Sequence, residues 1–282
     1  MSPIPVTILT GFLGAGKTTL LNRLMATPGF GDTAVIVNEF GSVDIDGSLV
    51  EEAGDRAFAT STGCLCCTVS GDVRLTLLRL RDEAEQGRGP KFSRVVIETT
   101  GLADPAPVMQ TFMTNDIMLG AFALNGVVTV VDAAHAAETL DRFDEARQQI
   151  GVADLLVIAK TDLAEATGGD PGALQARLAA LAPNAKVLTA AEVGVSDVFS
   201  LAAFDPAGKP PSVQDWLRFG DGDPQGRDHN HGHGHEHEHG HGHEDHGHHH
   251  GHPDPNRHGA TVSAFCFTAT RPIEARVIHM AI

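Results

Sequence analysis

The sequence predicts an α/β fold: a mostly parallel sheet with helices on both faces, then a histidine-rich linker, then the start of a smaller α/β domain. Three observations lead there. Apolar strand-like runs alternate with helix-like stretches from residue 5 to about residue 190. A glycine-rich segment, "GFLGAGKT" (11–18), joins the first such run to the first helix-like stretch. After about residue 205 the composition shifts to Pro, Gly, His and acids.

The strand-like runs are "PVTILT" (5–10), "TAVIVNEF" (33–40), "RVVIETT" (94–100), "GVVTVVDA" (126–133), "ADLLVIAKTD" (153–162) and "AKVLTA" (185–190). Several are apolar at nearly every position, as strands covered on both faces are. Helix-like stretches fall at 16–26, 71–86, 135–149 and 171–182. These elements make a first domain over 1–205. Residues 206–259 open with "PAGKPPSV" and contain "HNHGHGHEHEHGHGHEDHGHHHGH" (229–252), where nothing apolar interrupts the polar run. Such a stretch has no surface to bury, which predicts a disordered linker. Residues 260–282 read as one strand and the first part of one helix, the beginning of a C-terminal domain that is expected to be truncated, the alternative being a hairpin-sized piece that packs on the first domain.

The segment 11–18 satisfies G-x-x-x-x-G-K-[ST] in the required setting, after a strand and before a helix. This is the phosphate-binding loop of a P-loop NTPase. Gly11, Gly14, Ala15 and Gly16 let the backbone curl so that its N–H groups aim at phosphate oxygens, and the helix that follows adds its positive end. Lys17 is expected on the β- and γ-phosphates, Thr18 on magnesium, and Thr19 beside them. Glu98, at the end of the "VVIET" strand, is the candidate acid for magnesium or its water, with Gly101 placed to sense the γ-phosphate. Lys160 and Asp162, in "IAKTDL", suit a guanine base. The lysine stem covers the purine, and the carboxylate accepts from N1 and the exocyclic amine, a donor pair adenine lacks. The alternative for Asp162 is a helix N-cap, and Ala159 stands where the usual guanine-reading tetrapeptide begins with Asn.

The formal net charge of −16 argues against a general nucleic-acid or anionic-membrane binder and fits a protein that meets cations. No run of about 20 apolar residues predicts a membrane span, and the N-terminus does not read as a secretory signal, so the expectation is a cytoplasmic protein. Three of the 4 cysteines crowd into "GCLCCTVS" (63–70). A disulfide, a redox pair and a soft-metal site are the competing readings. Cytosolic thiols stay reduced, and Cys66 and Cys67 are adjacent, which favours metal. Cys64, Cys66 and Cys67 suit zinc, cobalt or copper(I); three sulfurs leave a coordination position open, and Glu39 is a candidate fourth or exchanging ligand. Glu39 is also the candidate for positioning water. In the tract, His231, His233, His235, His237 and His239 with their neighbours offer loose loading sites for divalent metal. Cys266 reads as core, and Asp44 and Asp46 as a turn.

Taken together, "TGFLGAGKTTLLN" (10–22), "VNEFG" (37–41), "GCLCCT" (63–68), "ETTGLADP" (98–105) and "KTD" (160–162) resemble the CobW-type metallochaperone GTPases. The resemblance spans roughly residues 4 to 200. It implies a slow GTPase using GTP/GDP and Mg²⁺. It also implies a transition metal, zinc or else cobalt for cobalamin synthesis, bound at the cysteine segment and passed to a client protein. A nucleotide- or metal-dependent dimer stays open. Two rivals remain at this level: a histidine-rich metal buffer with secondary nucleotide binding, and a P-loop ATPase or kinase with structural cysteines.

Overall fold

A computed structural model describes residues 2–38, 56–59, 65–69, 72–166 and 168–219. Its strands are β1 (Ile4–Thr10), β2 (Thr33–Asn38), β3 (Arg56–Ala59), β4 (Leu65–Val69), β5 (Arg94–Thr99), β6 (Phe122–Asp132), β7 (Leu155–Ala159) and β8 (Lys186–Thr189). They form one 8-stranded sheet in the order β3-β4-β2-β5-β1-β6-β7-β8. Every neighbouring pair is parallel except β3 with β4. The helices are α1 (Lys17–Met25), α2 (Val73–Glu85), α3 (Ala106–Thr114), α4 (Asp116–Ala121), α5 (Ala136–Arg142), α6 (Asp144–Gly151), α7 (Thr161–Ala166), α8 (Pro171–Leu181), α9 (Val195–Phe199) and α10 (Pro211–Phe219).

The six expected strands are present, and their runs of apolar residues are explained by burial on both faces. On β1, Val6 and Ile8 face a cluster with Leu77 of α2 and Met109 and Phe112 of α3, while Leu9 faces α1 through Leu20, Leu21 and Leu24. A third cluster joins β6 and β7 to α5, α6 and α8 through Val131, Leu156, Leu140, Ile150 and Leu178. Because all the central strands run the same way, their C-terminal ends share one edge, and the loops that follow them gather there.

Four departures from the expectation have local causes. Strand β6 begins at Phe122, not at 126; its pairing with β1 shifts between Val6 and Thr7, and the Asn-Gly pair at 125–126, which reads as a turn, lies inside that irregularity. The helix expected over 135–149 is two helices, broken at Phe143, whose backbone is extended (φ −124°, ψ 118°). The break lets Phe143 stack on Phe12 of the glycine-rich loop, with ring centroids 4.7 Å apart. The cysteine segment, which is not among the expected strands, carries Cys66 and Cys67 on strand β4, paired with Val35 and Ile36 of β2.

Finally, the stretch read as linker from 206 starts with ordered structure. A 3-10 turn at Pro206–Gly208 leads into α10, whose Val213 and Leu217 are buried against the core and whose Trp216 packs beside them. Pro211 is the first residue of that helix, where a missing N–H costs nothing. Buried Lys209 secures the turn by donating to Ala153 O at 2.9 Å and pairing with Asp154. The first unit therefore reaches at least residue 219. The histidine tract, the 260–282 segment, Cys64, Glu39, Asp44, Asp46 and Cys266 lie outside the described residues.

Candidate nucleotide site

The loop between β1 and α1 has the backbone a phosphate cradle needs. Gly16 caps α1 in the left-handed region (φ 103°), where a side chain would strain the turn. At Gly11 a Cβ would meet Val130 O of β6 at 2.3 Å, so only glycine lets the loop leave the sheet at that point. Gly14 is exposed at the tip of the loop, with Ala15 buried beneath it and its N–H bonded to Phe12 O at 3.1 Å.

Lys17 opens α1 and is buried. Its Nζ donates to Gly11 O at 2.8 Å and Phe12 O at 3.1 Å, folding the ammonium back over the loop. Burial pushes its pKa below the ordinary lysine value, and the charge of Glu98 opposes that push. Thr18 follows on the exposed side, and its Oγ1 donates to Glu98 Oε1 at 2.5 Å. Thr19 is exposed one position on. Glu98 is buried near the end of β5, and next to it Thr99 Oγ1 donates to Thr10 Oγ1 at 2.8 Å, tying the ends of β5 and β1 together. Thus Lys17, Thr18 and Glu98, separated by 80 residues in the chain, meet at one place. Gly101 also reaches this loop: a Cβ there would lie 2.6 Å from the N and Cα of Leu13.

The residues expected at the base follow β7. Lys160 follows the strand with a positive φ of 58°, and its Nζ donates to Asp132 Oδ2 at 2.7 Å. Asp132 ends β6 and also accepts from Ala134 N at 2.9 Å and bonds His135 Nδ1 at 3.0 Å. Burial alone would raise the Asp132 carboxyl, but the hydrogen bonds from Lys160, His135 and the Ala134 N–H outweigh it and hold the pKa below the usual range. Asp162 is exposed in the first turn of α7, inside the helix and not at its N-cap. A cavity of about 300 Å³ lies between these two ends, lined by Phe12, Leu13, Asp132, His135, Gln149 and Lys160 among others. Asp132 and Gln149 were not foreseen. Asp132 carries a visible signal, an acid closing an apolar strand just as Glu98 does; Gln149 carries none.

On the other side of the sheet, register relates the cysteines to the acid. Thr68, Val37 and Glu98 form one row across β4, β2 and β5, and Cys67, Ile36 and Ile97 form the row before it. With strands spaced about 4.8 Å, the Cys67 backbone is roughly 10 Å from that of Glu98. Among the described residues no group of three His, Cys, Asp or Glu side chains is gathered for a metal, and no helix is long and apolar enough to cross a membrane.

A parallel sheet with this loop, this lysine and an acid at the neighbouring strand end defines a P-loop nucleotide-binding protein. More narrowly, the chain belongs to the CobW/HypB/UreG family of nucleotide-binding domains, whose family model matches residues 5–189. It is 42% identical over 189 residues to the zinc chaperone YjiA of Escherichia coli, covering 67% of this chain and 58% of that protein. It is 42% identical over 170 residues to the zinc-regulated GTPase metalloprotein activator 1 of Schizosaccharomyces pombe, covering 58% of this chain and 40% of that one. The crystal structure of Zn(II)-bound YjiA GTPase from E. coli superposes with a TM-score of 0.58 at 36% identity, over 73% of this chain and 67% of that one. The matches therefore span only about half of the lengths of the curated relatives.

Proposed function

We propose that this protein is a GTP-dependent metallochaperone. It binds zinc, with cobalt the alternative cargo, through Cys64, Cys66, Cys67 and Glu39, and it passes the metal to a client protein when GTP is hydrolysed. The observation that carries the proposal is the row relation across β4, β2 and β5, which sets the cysteine strand two strands from Glu98. A change at Glu98 and the residues after β2 is then felt by the strand that carries two of the thiols. The zinc chaperone and zinc-regulated GTPase relatives support zinc as cargo.

The nucleotide reading follows from the donor set. Thr18 Oγ1 and Glu98 Oε1, two hard oxygens touching at 2.5 Å beside the helix N-terminus, fit Mg²⁺. When bound, magnesium neutralises charge on the β- and γ-phosphate oxygens. Lys17 exchanges its bonds to Gly11 O and Phe12 O for phosphate oxygens, the N–H groups of 14–18 cradle the phosphates, and Glu39 positions water. Lys160 covers the guanine and Asp162 reads its edge. The histidines of 229–252 collect metal for the cysteine site. Turnover by the isolated chain is expected to be slow, as for other GTPases without an activating partner.

Two measurements test this. GTP hydrolysis should exceed ATP hydrolysis and should fall at least about 100-fold in Thr18→Ala, the scale of losing one element of transition-state charge stabilisation. Zinc titration of protein lacking 229–252 should show one tight site that Cys66→Ser with Cys67→Ser removes. Zinc binding confined to the deleted tract would contradict the proposal.

A further inference from the structure

We propose that Gln149 is a positioning residue: its buried carboxamide holds the segment after Glu98 against the phosphate loop, so that this segment answers to the γ-phosphate. The inference rests on the reading of residues 98–101 as the γ-phosphate loop. Gln149 sits on α6 with 0% exposure. Its Nε2 donates to Gly101 O and to Ala103 O, each at 3.1 Å, across 48 and 46 residues of chain. A carboxamide nitrogen has two N–H donors, and both are spent on this one segment. Since both neighbours are carbonyl oxygens, only the nitrogen end of the amide can face them, which fixes its orientation. Its Oε1 is buried with no hydrogen-bond partner among the described residues. Keeping a buried acceptor unpaired costs free energy, so an apolar side chain of the same shape would be the better filler were packing the only demand.

The segment it holds is the one that touches the phosphate loop. Gly101 lies against Leu13 so closely that a Cβ would come within 2.6 Å of the Leu13 backbone. A peptide unit is planar, so fixing the Gly101 carbonyl also fixes the Leu102 N–H on the opposite edge of the same plane. Gln149 thereby sets which way the amides after Glu98 point. The helix is anchored in turn, because Thr129 Oγ1 of β6 donates to the Gln149 backbone carbonyl at 2.6 Å. Gln149 also lines the cavity beside Phe12, Leu13 and Gly14. The phosphate loop, the 101–103 segment and α6 therefore meet around one side chain.

The test compares Gln149→Met with Thr129→Val in the full chain. The first removes the two amide donors and keeps the volume; the second loosens α6 on β6 and leaves the amide in place. For Gln149→Met, GDP affinity should stay within about twofold of wild type, while affinity for a non-hydrolysable GTP analogue and kcat for GTP should each fall about tenfold or more. Thr129→Val, which keeps the amide but loosens its helix, should lower the analogue-to-GDP ratio by less than Gln149→Met does, and a loss as large would overturn the assignment to the amide. A wild-type ratio in Gln149→Met, or equal losses for both nucleotides, would overturn the proposal. Hydrogen exchange in the wild type needs no variant: the amides of 101–104 and of α6 should change protection together when GDP is replaced by the analogue, and independent changes would overturn it. Failure of the wild type to bind the analogue would be seen before any variant is made and would remove the γ-phosphate reading itself, and this proposal with it.

Discussion

The proposed phosphate and base ends of the nucleotide site each present a lysine, and the two are held in different ways. Lys17 is buried and bonded to two backbone carbonyls, those of Gly11 and Phe12. Lys160 is one-third exposed and ion-paired with Asp132. Carbonyl partners are neutral and the charge of Glu98 offsets burial only in part, so an arriving phosphate is expected to outcompete the carbonyls. A carboxylate partner neutralises Lys160 and pins its stem, which suits it to the proposed platform rather than to a clamp. In the proposed function the same residue type thus serves two tasks, and the partner decides which.

The largest effect is expected at the clamp. Lys17→Met should lower affinity for GTP and GDP by at least about 100-fold, since a buried charge on phosphate is lost, measured by equilibrium titration. Its effect on the nucleotide-free fold should be small. Burial depresses the Lys17 pKa, so between the folded and unfolded values the unfolded chain binds more protons and stability rises with pH. Denaturant unfolding should show wild type gaining on Lys17→Met as pH is raised toward about 10, near the ordinary lysine pKa.

Next in size is Glu98→Gln, which removes one charged oxygen from the Thr18–Glu98 pair. GTP turnover should fall about 10- to 100-fold and need more Mg²⁺, while GDP affinity without magnesium changes little.

At the platform, Asp132→Asn should weaken guanine nucleotide binding only severalfold and cost about 1 kcal/mol of stability at neutral pH, the scale of a half-buried charged hydrogen bond. The Asp132 carboxyl is held below its usual pKa, so its contribution is present above about pH 4 and is lost as pH falls through the folded value. Wild type and Asp132→Asn should therefore converge in stability in acid. The smallest effect belongs to Phe143→Leu, which removes the ring stacked on Phe12 and should cost about 1 kcal/mol with nucleotide affinity changed less than severalfold.

The contrast also marks what a sequence reveals. The glycine-rich loop was legible: Lys17, Thr18 and the glycines sit within eight positions, and their local spacing makes the loop. Glu98 was legible because an acid interrupts an apolar strand. The partner of Lys160 was not, since Asp132 lies 28 residues away and only the β6–β7 pairing brings them together. Gln149 was hidden for the same reason, its bonds spanning more than 40 residues. In the fold, the long doubly covered strands announced themselves. Strands β3 and β4 are short and lie at the sheet edge, and β4 is crowded with cysteines that suggest a loop. Helix α10 was masked by proline-rich composition, although Val213, Trp216 and Leu217 have helical spacing.

Zinc is tied to nucleotide in this account through the strand path from Glu98 to Cys67, and such coupling is reciprocal. The most direct measurement is a competitive zinc titration of protein lacking 229–252 in Mg²⁺–GTP analogue, in Mg²⁺–GDP and without nucleotide. The account predicts a single zinc site at least about tenfold tighter with the analogue than with GDP, and analogue binding tightened by zinc by the same factor. Equal zinc affinity in all three states would contradict it.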